Sequence, residues 1–228
     1  MHGTAGLRRG IADVRESRPM SDAEVDRRFR AAWELARAQW AAADPARCAA
    51  QAGCGLLSSG VTVPFFGRPH LVPHPGGDVS AGGAPAHVAV SILLLHYLLR
   101  ADGTPPAGEW LAFRELPDGL FYAASFAERA EAPLAQAFGA GCGSGDGLSR
   151  LRAAAAAAGG LTLDLADAAF AFQALPRLAL AVLVWDGDEE FPAQASVVFD
   201  AAAGHYLPAE DLAGLGGLLT RRLIGGAG

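Results

Sequence analysis

Apolar positions recur at helical spacing from Asp22 to Ala43, where Phe29, Trp33, Ala36 and Trp40 fall on one stripe. Ser21 or Asp22 is placed to cap this helix, Glu24 sits in its first turn, and Asp44-Pro45 stops it. A short alanine-rich turn then precedes Gly53 and Gly55. Val61 to Val63 and Leu71 to Val72 bracket Gly67-Arg68, the pattern of a β-hairpin, and Pro64, Pro69, Pro73 and Pro75 assign it to a sheet edge or loops. Pro85 to Arg100 reads as a helix apolar almost all round, which predicts that it crosses the middle of the domain. Its polar residues split: His87 and Ser91 share one face, His96 and Arg100 lie roughly opposite.

The second half changes character. GEWLAFRELPDG is a turn-bounded, aromatic-rich stretch, followed by a helix from Leu120 to Phe138 with Tyr122, Phe126 and Arg129 on a common face. A flexible glycine-rich loop at 139–147 leads into an alanine-rich helix over 148–158. Phe170 to Leu175, Leu178 to Trp185 and Ala195 to Phe199 read as three strands, joined by Pro176-Arg177 and by the acidic loop DGDEEFP. Pro208 to Leu223 closes the chain as a capping helix. The sum is one α+β domain, an antiparallel sheet with a buried central helix and flanking helices. Residues 1–20 read as a disordered tail, 21–56 as a helical segment packed on the core, and 57–224 as the α+β domain proper.

Composition narrows the chemistry. All 18 basic residues among the 228 are arginine, which removes Schiff-base lysines and the phosphate-loop lysine. Eleven arginines face eight carboxylates in residues 1–100, whereas seven face sixteen in 101–228. An acidic second half disfavours nucleic acid and anionic lipid as partners. The apolar run from Val88 to Leu99 is too short to span a bilayer, and early charges at Arg8, Arg9 and Asp13 leave no signal segment, so a cytoplasmic protein is expected. Three scattered cysteines lack metal-ligand spacing.

Two motifs carry candidate chemistry. Asp186, Asp188, Glu189 and Glu190 crowd four carboxylates into five residues, and Phe191-Pro192 is stiff enough to pin them against the body. In GEWLAFRELP, Glu109, Arg114 and Glu115 punctuate Trp110, Leu111 and Phe113. Arg114 or Arg100 is then expected to pair with the acidic loop or a bound anion, since guanidinium forks hold carboxylates well. His96, one turn before Arg100, becomes an acid or base if it faces those carboxylates. The glycine-rich loop 139–147 does not give the dinucleotide spacing, and no nucleophile-elbow serine is present.

At these residues the chain resembles the domain-of-unknown-function family 3786 of bacteria and archaea. The stretches are ILLLHYLLRADGTPPAGEW (92–110), FRELPDGLFY (113–122), LPRLALAVLVWDGDEEFPA (175–193), VVFD (197–200) and YLPAED (206–211). The resemblance implies a family without an assigned activity, whose relatives sometimes accompany iron–sulfur or corrinoid-linked domains. This chain lacks ferredoxin cysteine spacing and is expected to carry no cluster itself.

The expected function is therefore a small-molecule- or cofactor-binding accessory domain tied to metallocofactor metabolism, with a metallocofactor protein as partner and no particular cofactor specified. Its expected site gathers His96, Arg100, Glu109, Trp110, Arg114, Glu115, Tyr122, Asp188, Glu189 and Glu190. Two alternatives stand beside it: a divalent-metal or acid/base enzyme using the DGDEEFP carboxylates, and an acidic adaptor that docks a basic protein.

Overall fold

The computed structural model describes residues 22–139, 146–188 and 190–226. The expected N-terminal tail, most of the glycine-rich loop, and Glu189 lie outside the described residues. The chain runs α1 (Asp22–Ala42), α2 (Pro45–Ala52), β1 (Gly55–Leu57), β2 (Gly60–Phe65), β3 (Arg68–Pro73), β4 (Ser80–Ala81), β5 (Ala84–Pro85) and α3 (Val88–Arg100). It continues through β6 (Trp110–Ala112), a 3-10 turn (Phe113–Glu115), α4 (Gly119–Phe126), a π turn (Ala127–Glu131), α5 (Ala132–Phe138) and α6 (Gly147–Ala157). Then come β7 (Leu161–Leu163), β8 (Ala168–Leu175), β9 (Leu178–Trp185), β10 (Gln194–Asp200), a 3-10 turn (Ala201–His205) and α7 (Ala209–Gly225).

The strands form two antiparallel sheets of five, ordered β1-β2-β3-β4-β5 and β6-β10-β9-β8-β7. The larger strands obey their period of two: Phe170, Phe172, Leu180, Val182, Val197 and Phe199 all turn inward. α3 crosses the core as its all-round apolarity predicts, with Leu94, Leu95, Tyr97 and Leu98 fully buried. The hairpin β2–β3 joins the second sheet through the Phe66 amide, which donates to the Ala174 carbonyl at 2.8 Å.

Three elements differ from the sequence reading, each for a local reason. Residues 45–52 form a helix rather than a turn, because the Asp44-Pro45 that ends α1 also starts α2. The Asp44 carboxylate caps the Ala46 and Arg47 amides, Pro45 needs no intrahelical partner, and Gly53 closes the helix at φ +67°. α3 begins at Val88, since Ala84–Pro85 pairs as an edge strand and His87 takes the cap through its Nδ1.

The predicted helix over Leu120–Phe138 is interrupted at Ala127–Glu131, just before Pro133. A proline inside a helix removes one ladder bond, and a widened turn accommodates the loss. The Thr220 hydroxyl donates to the Ala130 carbonyl there at 3.0 Å. The proposed common face also splits: Phe126 is buried and stacked on Phe113 at 4.1 Å, whereas Tyr122 is 41% exposed.

Candidate functional site

Arg100 and the acidic loop lie at opposite ends of strand β10. The acidic loop leads into β10 at Gln194, while Arg100 reaches the Gly204 carbonyl (3.5 Å) in the 3-10 turn beyond its far end at Asp200. Seven extended residues separate these ends by roughly 20 Å. Arg114 is exposed on the turn after β6 and makes no ion pair with Asp186, Asp188 or Glu190. Asp188 closes its own loop instead, accepting the Glu190 amide at 2.8 Å and the Phe191 amide at 2.7 Å. Those amides hold its carboxyl below the usual range. Phe191, expected to pin the loop, is 64% exposed.

Other expected residues make contacts within the fold. The Glu115 carboxylate accepts the Ala112 amide at 2.7 Å, and the Glu109 carbonyl accepts the Ala201 amide at 2.9 Å. Trp110 packs on the outer face of the second sheet against Ala169, Ala181, Leu183 and Val198. His96 finds a carboxylate in α7: its Nδ1 lies 2.6 Å from Asp211.

Sequence reasoning missed a strap of polar residues binding the segment after α3 to the segment after β10. Buried Asp200 accepts the amides of Ala107 (2.9 Å), Gly108 (2.8 Å) and Ala202 (2.9 Å). Asp102 accepts the Thr104 amide at 2.9 Å and pairs with His205 Nδ1 at 2.7 Å, which draws its carboxyl down to about 2. The Tyr206 hydroxyl donates to the Thr104 carbonyl. An aspartate ending an apolar strand was the available signal for Asp200, since a buried carboxylate must recruit donors.

A concavity forms elsewhere. A cleft of about 690 Å³ opens where the β2–β3 turn, the end of α6, strand β8 and the end of α7 meet. Its apolar walls are Pro64, Phe66, Phe172, Leu175 and Pro176 with Ala157 and Ala158; its polar groups are Gln173, Arg68 and Arg222. Every ionisable side chain among the described residues lining it is an arginine. Arg222 stands over the Phe66 ring at 5.5 Å, and its Nη1 reaches the Phe66 carbonyl at 3.5 Å. Arg68 reaches the Ala81 carbonyl, also at 3.5 Å. Both bonds are at the long limit, and neither guanidinium pairs with a carboxylate among the described residues.

The turn that carries Phe66 is constrained. Phe66 adopts φ +46°, uncommon for a bulky residue, and the Ala174 and Arg222 contacts hold it there. Behind the Gly53 wall stands Arg177, whose buried Nε has no hydrogen-bond partner; a Cβ on Gly53 would sit 3.3 Å from it. A second cleft, about 620 Å³, lies between α1 and the start of α3 and is lined by Arg30, Trp33, Asp78, His87 and Ser91 among others. There Asp78 already neutralises Arg37 at 3.2 Å.

No group of three histidine, cysteine, aspartate or glutamate side chains among the described residues is arranged to hold an ion. Cys48 is buried and Cys54 half-buried, and burial pushes the Cys54 thiol up to about 12, so the thiolate that a metal needs is disfavoured.

Residues 44–222 match the family model described as Domain of unknown function (DUF3786). The chain belongs to this family. The DUF3786 segment contains every residue that lines the arginine cleft, from Gly53 to Arg222, whereas Arg30 and Trp33 of the second cleft fall outside it. No curated protein and no solved structure matches the chain. No helix among the described residues of this DUF3786 member is long and apolar enough to cross a membrane.

Proposed function

We infer that this DUF3786 domain is a cytoplasmic small-molecule- or cofactor-binding accessory domain, serving metallocofactor metabolism through a metallocofactor protein partner. One observation carries the binding reading: a cleft of about 690 Å³, apolar with two arginines and one glutamine, built wholly within the family segment. Ligand sites have this size and make-up, apolar walls with a few convergent polar groups. The partner link follows from the family resemblance, whose relatives accompany corrinoid or iron–sulfur domains. Among the described residues Cys48 and Cys54 are buried or half-buried, and burial raises both thiols, which supports a centre held by the partner.

The acid/base alternative receives less support, since Asp188 is engaged by its own loop amides.

Native mass spectrometry of the protein purified from its own host tests the reading. The expected result is a retained non-covalent adduct that disappears in Gln173→Trp, an exposed strand position whose indole would fill the cleft. A bare chain mass from the host, or an adduct indifferent to Gln173→Trp, would count against it.

A further inference from the structure

We propose that the arginine cleft selects an organic acid with a flat aromatic body, its ring against Phe66 and its acidic group between Arg68 and Arg222. This rests on the reading of the cleft as a ligand site and adds the class of ligand.

The charge distribution is the first argument. The chain carries 24 carboxylates against 18 arginines, yet Arg68, Arg177 and Arg222 gather round one hollow without a carboxylate among its described lining residues. In an acidic protein, unpaired guanidiniums are expected to find a nearby acid. Among the described residues Arg68 and Arg222 hydrogen-bond only backbone carbonyls, at 3.5 Å, and Arg177, which meets the Tyr206 hydroxyl, keeps a buried Nε–H without an acceptor. Arg177 adds positive potential behind the Gly53 wall, in a concavity where water screens less than at an open surface. An incoming carboxylate, phosphate or sulfonate supplies the missing counter-charge, and guanidinium forks suit such groups.

Shape supplies the second argument. Phe66 stands at the rim with Arg222 over its ring, and Arg68 follows two positions later on the same turn. Gln173 is the exposed residue that β8 contributes, since Phe172 faces the core. The turns at Gly67 and Gly159 present backbone to open space, with nothing within 4 Å of where a Cβ would stand. The walls are thus low and apolar, suited to a ring stacked on an aromatic face.

The test uses two dyes that differ by one charge: 1-anilinonaphthalene-8-sulfonate and its neutral counterpart N-phenyl-1-naphthylamine, titrated by fluorescence into the full chain. The sulfonate is expected to bind about tenfold tighter than the neutral dye, and Arg68→Gln with Arg222→Gln to remove about that factor for the sulfonate alone. Raising salt from about 50 to about 300 mM should weaken only the sulfonate. Circular dichroism of each variant verifies folding. Equal affinities that ignore both arginine substitutions but fall in Gln173→Trp would overturn the acid preference and leave the ligand site standing. Failure of both dyes to bind, or binding that Gln173→Trp leaves unchanged, would overturn both.

Discussion

Nδ1 of His96 lies 2.6 Å from a carboxylate oxygen of Asp211, 115 positions further along the chain. The bond ties the polar face of α3 to the first turn of α7, with side-chain exposures of 29% and 15%. A half-buried hydrogen-bonded pair of this geometry contributes through coupling between its members rather than through either alone. In a double-mutant cycle of His96→Ala and Asp211→Ala, urea unfolding should report a coupling of about 1 kcal/mol. Strictly additive losses would mean the two side chains only pack near one another.

Asp200 holds the strap after α3. It is 3% exposed and accepts three backbone amides, two from the 101–109 segment and one from the turn after β10. Asp200→Ala strands those donors and should cost about 3 kcal/mol, read as a lower urea midpoint at unchanged slope. Asp200→Asn retains one acceptor oxygen and should lose distinctly less. A cost under about 1 kcal/mol for the alanine variant would contradict the assigned role.

The same strap should loosen in acid. Thr104 and, secondarily, His205 lower the Asp102 carboxyl from 3.8 to about 2. A carboxyl depressed on folding stabilises the native state above its unfolded value, and that contribution fades as pH falls through the folded value. The Asp102–His205 contact should therefore be intact at pH 4 and half lost near pH 2. Carbon-detected NMR titration of the Asp102 carboxyl checks this; a midpoint at the ordinary value would contradict it.

Cys54 and Cys48 should be poor nucleophiles. Burial pushes Cys54 up to about 12 and raises Cys48 as well. The thiolate is the reacting species, so at pH 8 both should alkylate far more slowly than a free thiol. Peptide-resolved mass spectrometry after timed iodoacetamide treatment measures each site separately. Rapid labelling of Cys54 in the folded protein would refute the account.

Local pattern made most elements legible: the amphipathic stripe of α1, the all-apolar α3 and the alternating strands β8 to β10. What pattern could not convey was pairing. Trp110–Ala112 reads only as part of an aromatic-rich stretch because three residues are too few to show alternation, yet they pair with Val198–Asp200 as an edge strand. Arg100 reaches the Gly204 carbonyl beyond β10, and among the described residues neither Arg100 nor Arg114 forms an ion pair with Asp186, Asp188 or Glu190. The cleft was invisible for a related reason: its walls come from Gly53, the Phe66 turn, the end of α6, β8 and Arg222, segments without a shared motif. Arg68 and Arg222 lie 154 positions apart, and only the fold brings them to one hollow.

Backbone amide NMR shifts during a titration with 1-anilinonaphthalene-8-sulfonate test the central claim most directly, because they locate the bound ligand. The account predicts that Gly53, Gly67, Gly159 and Gln173 move together and saturably. Shifts confined to Trp33, Val79 and Ser91, with the four cleft amides unmoved, would contradict it.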